Sequence, residues 1–256
     1  GNVSKEYESK AEISLYFEVL NTGANITINK DMLIWPVSLM KLPVEIALMR
    51  KIENNQASLQ DLVQLNSLDL DPHSGSMHLM GAGAKVSVEE LLKATLQNSD
   101  NTAYNALNHV VTEQEIESVL GSVGLNELIL ENPAVGAKEY SRLLRSLYSS
   151  SYISQKNSAL LLENLSKNQY NEFMSQGIPK NTTFSHKWGA NINEKIYADS
   201  GIIYITNRPY MLTVLIKGNA TLENQESLEL AKQIFKEVSE KTYNYINTYQ
   251  NNSQPE

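Results

Sequence analysis

The chain contains no cysteine. That removes disulfides, thiolate nucleophiles and Cys-ligated zinc or iron–sulfur clusters, and leaves the compartment open. Long apolar runs are missing too: Ile202–Ile205 and Tyr210–Ile216 are strand-sized, far short of a bilayer span. Positive charge is scarce, with 21 Lys and Arg against 29 Asp and Glu, a net charge of −8. A nucleic acid or an anionic membrane surface needs a basic face to release counterions, so neither is an expected partner. No signal peptide is visible at Gly1. Histidine is rare as well, at four residues. His73 and His78 flank a Gly/Ser loop with no third ligand in sequence, so no metal is expected there. Neither His109 nor His186 has an evident Asp partner, so a Ser-His-Asp triad is not expected. What remains is 256 residues, 41% apolar and 20% charged, enough for a folded unit with a substantial core.

Alternation of apolar residues predicts a strand over Glu12–Leu20, and the Asn21–Ala24 turn followed by Asn25–Asn29 makes it a hairpin. From Val37 to about Asn54 the period becomes helical. Ser87 and Glu90 form a capping box before Leu91, Leu92 and Leu96. After a break at Asn98–Asn101, apolar residues from Ala103 to Val111 predict another helix, and Tyr140–Tyr148 repeats that spacing. Strands return at Thr183–Ala190, Lys195–Thr206 and Tyr210–Lys217, and a last helix runs from about Leu222 to Tyr245. Segregated strands predict an α+β fold, an antiparallel sheet with terminal helices that holds an all-helical insertion. Residues 11–35 and 183–250 would form the discontinuous sheet layer and residues 36–182 the helical domain, with the site between them.

Three short motifs could carry chemistry. Ser38-Leu39-Met40-Lys41 is the one Ser-x-x-Lys spacing in the chain; on a helix start the two side chains share a face. Free N–H groups at that helix start could hold an oxyanion. A solvated Ser/Lys pair would look the same in isolation. Ser99-Asp100-Asn101 falls in the break between two helices, where an Asx-type cap is the ordinary reading. Lys187-Trp188-Gly189 lies on a strand, where a plain edge lysine is ordinary and the glycine permits close approach.

The conjunction is far more specific than its parts. Ser-x-x-Lys, Ser-Asp-Asn and Lys-x-Gly occur in that order, on helix start, inter-helix loop and strand, and this resembles class A β-lactamases and penicillin-binding proteins. The flanks Trp35–Pro43, Asn98–Ala103 and Asp199–Tyr204 resemble that family as well, and the likeness spans roughly residues 11 to 240. The resemblance implies a serine acyl-enzyme hydrolase. Ser38 would be the nucleophile and Lys41 its base; Ser99 would shuttle a proton to the leaving nitrogen. Asn101 would bind the substrate amide, and Lys187 would hold Ser99 and the substrate carboxylate. The backbone N–H groups of Ser38 and Ala190 would form the oxyanion hole. It further implies a β-lactam or a peptidoglycan stem peptide as partner and an exported location; no cofactor and a monomer are expected.

Two departures from the family stand out. No Glu-x-x-Leu-Asn stretch occurs between Asn101 and Lys187, so the carboxylate that activates the deacylating water is missing. Glu131 is the nearest acid in the shortened loop, but its spacing does not fit. Trp188 replaces the usual Thr or Ser and cannot offer a hydroxyl to a carboxylate; beside Gly189 and Ala190 it could wall the pocket or stack on a ligand. Slow deacylation is therefore expected. The rivals are a working β-lactamase with another base, and a binding protein whose site Trp188 closes.

Overall fold

The structure, a computed structural model, describes residues 6–125 and 133–251, without the side chains of the last three. β1 (Ala11–Val19) turns through Gly23 into β2 (Asn25–Ile28), and β5 (Thr183–Asn191), β6 (Ile196–Tyr204) and β7 (Tyr210–Gly218) form a meander. β7 pairs antiparallel with β1, giving one five-stranded sheet in the order β2-β1-β7-β6-β5. The α+β architecture expected from the segregated strands is the one observed.

The helices lie between and after the strands. A 3-10 turn, Val37–Met40, leads into α1 (Lys41–Glu53); α2 (Val88–Asn98) and α3 (Asn101–Leu107) flank the Ser-Asp-Asn break. Then come α4 (Glu113–Ser122), α5 (Ala137–Ser149), α6 (Gln155–Ser166) and the C-terminal α7 (Asn224–Asn251). A small two-stranded sheet, β3 (Leu62–Gln64) with β4 (Lys85–Ser87), sits before α2. The expected capping box at α2 is present: Ser87 Oγ accepts from Glu90 N at 3.2 Å and Ser87 N donates to the Glu90 carboxylate at 3.0 Å.

Where the apolar period ran on to Val111, the helix stops at Leu107. A second capping box explains it, with Thr112 Oγ1 accepting from Glu115 N while Thr112 N donates to Glu115, so a new helix begins there.

The sheet is buried on both faces: β7 reads as a near-continuous apolar run, while β5 and β6 also bury polar residues, among them Ser185, His186, Lys187, Asp199 and Ser200. One face, with Tyr16, Ala198, Ile202, Met211 and Leu215, joins the core of α1, α2, α5 and α6. The other, with Phe17, Tyr197, Leu212, Val214 and Ile216, packs on Ile234, Phe235 and Val238 of α7. Phe173, Met174 and Ile178 fill this second core.

Two contacts dock the start of α1 against its neighbours. An ideal Cβ at Gly189 of β5 would lie 2.5 Å from Val37 Cγ2 and 2.6 Å from Ser38 N, so only a residue without a side chain lets the strand run this close. From the other side, the buried Tyr140 hydroxyl of α5 donates to the Leu39 carbonyl at 2.9 Å. Tyr140→Phe strips a buried carbonyl of its donor and should cost about 1–2 kcal/mol in urea denaturation, with little change in the m-value. Gly189→Ala forces the strand off the turn and should cost about 1–3 kcal/mol; a stability equal to wild type would show that the contact is not tight.

Candidate active site

Ser38 is half-buried on the 3-10 turn at the head of α1, and Val37 before it has φ 45°. A left-handed backbone is unfavourable for a β-branched residue, and such strain persists where neighbours over-determine it. Here the neighbours are Gly189 on β5 and the Tyr140–Leu39 hydrogen bond. Ser38 thus sits where first-turn N–H groups have no acceptor within the helix, against the strand that carries Gly189 and the half-buried Ala190.

Lys41 is buried, and its Nζ donates to Asn101 Oδ1 at 2.7 Å, to the Ser99 carbonyl, and to Ser99 Oγ at 3.4 Å. Among the described residues it has no hydrogen bond to Ser38. The Tyr104 ring lies 5.7 Å from Nζ. Burial lowers the Lys41 pKa to about 8, although Glu45, Asp100 and Asp71 pull it back up.

Ser99 closes α2 in the left-handed conformation with φ 55°, and Asp100 caps α3 through Ala103 N at 2.9 Å. The ordinary cap reading of this motif is therefore correct, and it is also what aims Ser99 and Asn101 at Lys41. Asp100 accepts from Met77 N at 2.9 Å as well, and Asn101 N donates to the Ser74 carbonyl. Gly75, at φ 81°, leaves no room for a Cβ against Asp100, so the loop lies directly on the motif. Asn101 Nδ2 reaches Asp71 Oδ2 at 3.1 Å, and Asp71 in turn pairs with the exposed His73.

Lys187 is fully buried, and its Nζ has no hydrogen-bond partner among the described residues, Ser99 included. Burial pushes its pKa down, and Lys41 pushes it the same way. Alternation on β5 turns Ser185, Lys187 and Gly189 toward the helices, while Phe184, His186 and Trp188 face the α7 side. Trp188 is consequently not gathered with Ser38, Lys41 and Ser99. Its indole stacks on Tyr170 at 3.6 Å between ring centroids and meets Phe173 edge-on. Two surface depressions, one lined by Ile52, Asn55 and Lys156 and the other by Glu172, Gln233 and Lys236, involve none of these residues.

The sequence reading missed three things. Glu45, four residues after Lys41, is fully buried beneath the two lysines; an acid inside the apolar stretch Leu42–Met49 was the available signal. Both histidines said to lack an Asp have one. His109 Nε2 lies 2.8 Å from Asp69 Oδ1, and His186 Nδ1 lies 2.8 Å from Asp199 Oδ1. Asp199 pairs with Trp188 across the β5–β6 ladder, so it sits diagonally from His186 on one face. Ser175 Oγ, 3.5 Å from His186 Nε2, completes a Ser-His-Asp connectivity that was not expected. His186 is buried against the Phe184 ring, and Asp199 also holds Met174 N at 3.1 Å, so the group ties residues 173–175 to the sheet.

Finally, Glu127-Leu128-Ile129-Leu130-Glu131 departs from Glu-x-x-Leu-Asn only in its last residue. Glu127 and Glu131 both lie outside the described residues.

A serine on a strained helix start, a lysine of lowered basicity and a capped Ser-Asp-Asn turn thus converge on one strand edge. Residues 2–246 match the β-lactamase enzyme family. β-Lactamase VEB-1 of Pseudomonas aeruginosa is 21% identical over 268 residues, covering 95% of this chain and 88% of its own. The β-lactamase of Sphaerobacter thermophilus superposes with a TM-score of 0.85 at 19% identity, covering 96% of this chain and 95% of its own. PBP-A gives 0.81 at 19% identity, covering 94% and 96%. At such identities the structural likenesses speak for the fold alone. The family match extends over nearly the whole length, and with it this chain belongs to the β-lactamase enzyme family.

Proposed function

We propose that the protein is a serine acyl-enzyme hydrolase that reacts with β-lactams or acyl-D-Ala-D-Ala peptides and releases the acyl group slowly. The observation that carries this reading is the grip of Lys41, three residues on from Ser38, whose Nζ holds Asn101 Oδ1 and Ser99, in a chain that has no Glu-x-x-Leu-Asn between Asn101 and Lys187. Ser38 Oγ attacks the carbonyl carbon while its proton passes to neutral Lys41 Nζ. The oxygen that gains the electron pair is met by the N–H groups of Ser38 and Ala190. Collapse expels the leaving nitrogen, which takes its proton through Ser99 Oγ, and Lys187 attracts the anionic end of the substrate. A PBP-A variant has been solved as an acyl-enzyme complex with penicillin G, which supports a penicillin as the first probe. An exported location and a monomeric state belong to the same reading.

Without a carboxylate to activate water, hydrolysis of the ester loses a contribution typically worth about 10²–10⁴-fold. A second reading, a working β-lactamase, is favoured by Glu127-x-x-Leu130.

Intact mass after incubation with a penicillin separates the two. The expected result is a persistent adduct of one drug mass that is absent in Ser38→Ala. Consumed drug without an adduct, abolished by Glu127→Gln, favours the β-lactamase; neither adduct nor consumption favours a binding protein. Because only neutral Lys41 can take the Ser38 proton, the acylation rate should rise about tenfold per pH unit below its pKa of about 8 and level off above it. A rate independent of pH between 6 and 9 would remove Lys41 as the base.

A further inference from the structure

Two lysines and one carboxylate share the floor of this site. Glu45 and Lys187 are wholly buried and Lys41 nearly so. Neither carboxylate oxygen of Glu45 nor Lys187 Nζ has a hydrogen-bond partner among the described residues. Glu45 stands one helical turn from Lys41 on the same face of α1. The other groups around it come from four neighbouring elements: Lys187 from β5, Tyr104 from α3, Tyr140 from α5 and the Thr95 hydroxyl from α2; α4 also packs on α1, and its Glu115 pairs with Lys51. Tyr140 donates to Leu39, and Thr95 donates to the Leu91 and Leu92 carbonyls, so both hydroxyls are engaged elsewhere. Asp100 and Asp71 act on Lys41, and Asp199 acts on Lys187, from outside this floor.

A buried charge is tolerated only when another charge or a hydrogen bond compensates it. Two buried ammonium groups repel, and each favours loss of the other's proton. The carboxylate has no strong donor, and the lysines are the cations that face it. We infer that Glu45 is the internal counter-ion of the Lys41–Lys187 pair, a positioning residue that keeps positive charge on the site floor to receive an anionic acyl donor. The inference deepens the acyl-transfer reading and rests on it for its functional consequence. Glu45 is sealed from solvent and does not touch the reacting atoms. Burial pushes the Glu45 carboxyl up to about 7, while Lys187 and Lys41 hold it down. Above that pH it acts through the lysines: its negative charge favours their protonated forms, and removing it lets both release protons at lower pH.

The test follows the lysines directly, by a ¹³Cε-lysine NMR titration of the full chain. Wild type is compared with Glu45→Gln and with Glu45→Met, which fills the same space without a polar group; Lys41→Met and Lys187→Met assign the two signals. In both Glu45 variants the titration midpoints of Lys41 and Lys187 should fall by about one unit, the low end for loss of a nearby opposite charge. The low-pH limb of acylation by a fluorescent penicillin should move down by the same amount. Unchanged midpoints in both folded variants overturn the inference, whatever their thermal stability, because a packing role alone leaves the lysines unmoved. Midpoints that fall in a protein that never acylates, wild type included, uphold the counter-ion and overturn the acyl-transfer reading instead.

Discussion

The close approach of β5 to the first residues of α1 is the constraint on which the site depends. It brings a strand backbone to within side-chain distance of Ser38 N, and it exists because position 189 has no Cβ to collide with Val37 and Ser38. The strained Val37 backbone is held from the strand side by this contact and from the helix side by Tyr140. The same register decides what else reaches the site. With Gly189 turned toward the helices, Lys187 two residues earlier must point that way too, and Trp188 must point to the other face.

That register forces an electrostatic problem on the core. Lys187 enters a region where Lys41 is already buried, in a chain that is acidic overall. Hydrogen bonds to Ser99 and Asn101 partly satisfy Lys41; Lys187 has none among the described residues. Desolvation then lowers both lysines, which is what a lysine general base requires and what a lysine anion-binder can least tolerate. A buried carboxylate favours the protonated form of both lysines, which serves Lys187 as an anion-binder and limits how far desolvation lowers Lys41.

Much of this was legible in the sequence, for identifiable reasons. The long strands and the helices with a clear apolar stripe announced themselves because burial on a sheet or helix face imposes a period. Ser38, Lys41, Ser99, Asn101 and Lys187 stood out through order and spacing, none of which depends on tertiary contacts. What escaped notice was what only register or length can settle. β3 and β4 have three residues each, too few to show a period. α4 carried the same Thr-x-x-Glu signal as the Ser-x-x-Glu of α2 and went unread because its apolar residues continue those of α3. His186 and Asp199 lie thirteen residues apart in sequence, and only the β5–β6 pairing makes them neighbours. Glu45 looked like an ordinary helix acid, since nothing in a sequence says that every face of a helix is covered.

Trp188 gains meaning from that covering. Its indole is committed to a stack with Tyr170 and an edge contact with Phe173, which anchors β5 to the α7 layer. Alternation turns this side chain to the α7 face, so what it contributes is apolar packing behind the site. Of the three β5 residues turned toward the helices, Ser185, Lys187 and Gly189, only Lys187 carries charge, and it has no directed hydrogen bond among the described residues. A cation that acts by field rather than by a directed hydrogen bond must stay protonated to act at all. The unpartnered lysine on β5 and the acid inside α1 are then two sides of the same arrangement: the less the strand offers that lysine in directed hydrogen bonds, the more the floor of the site must supply in charge.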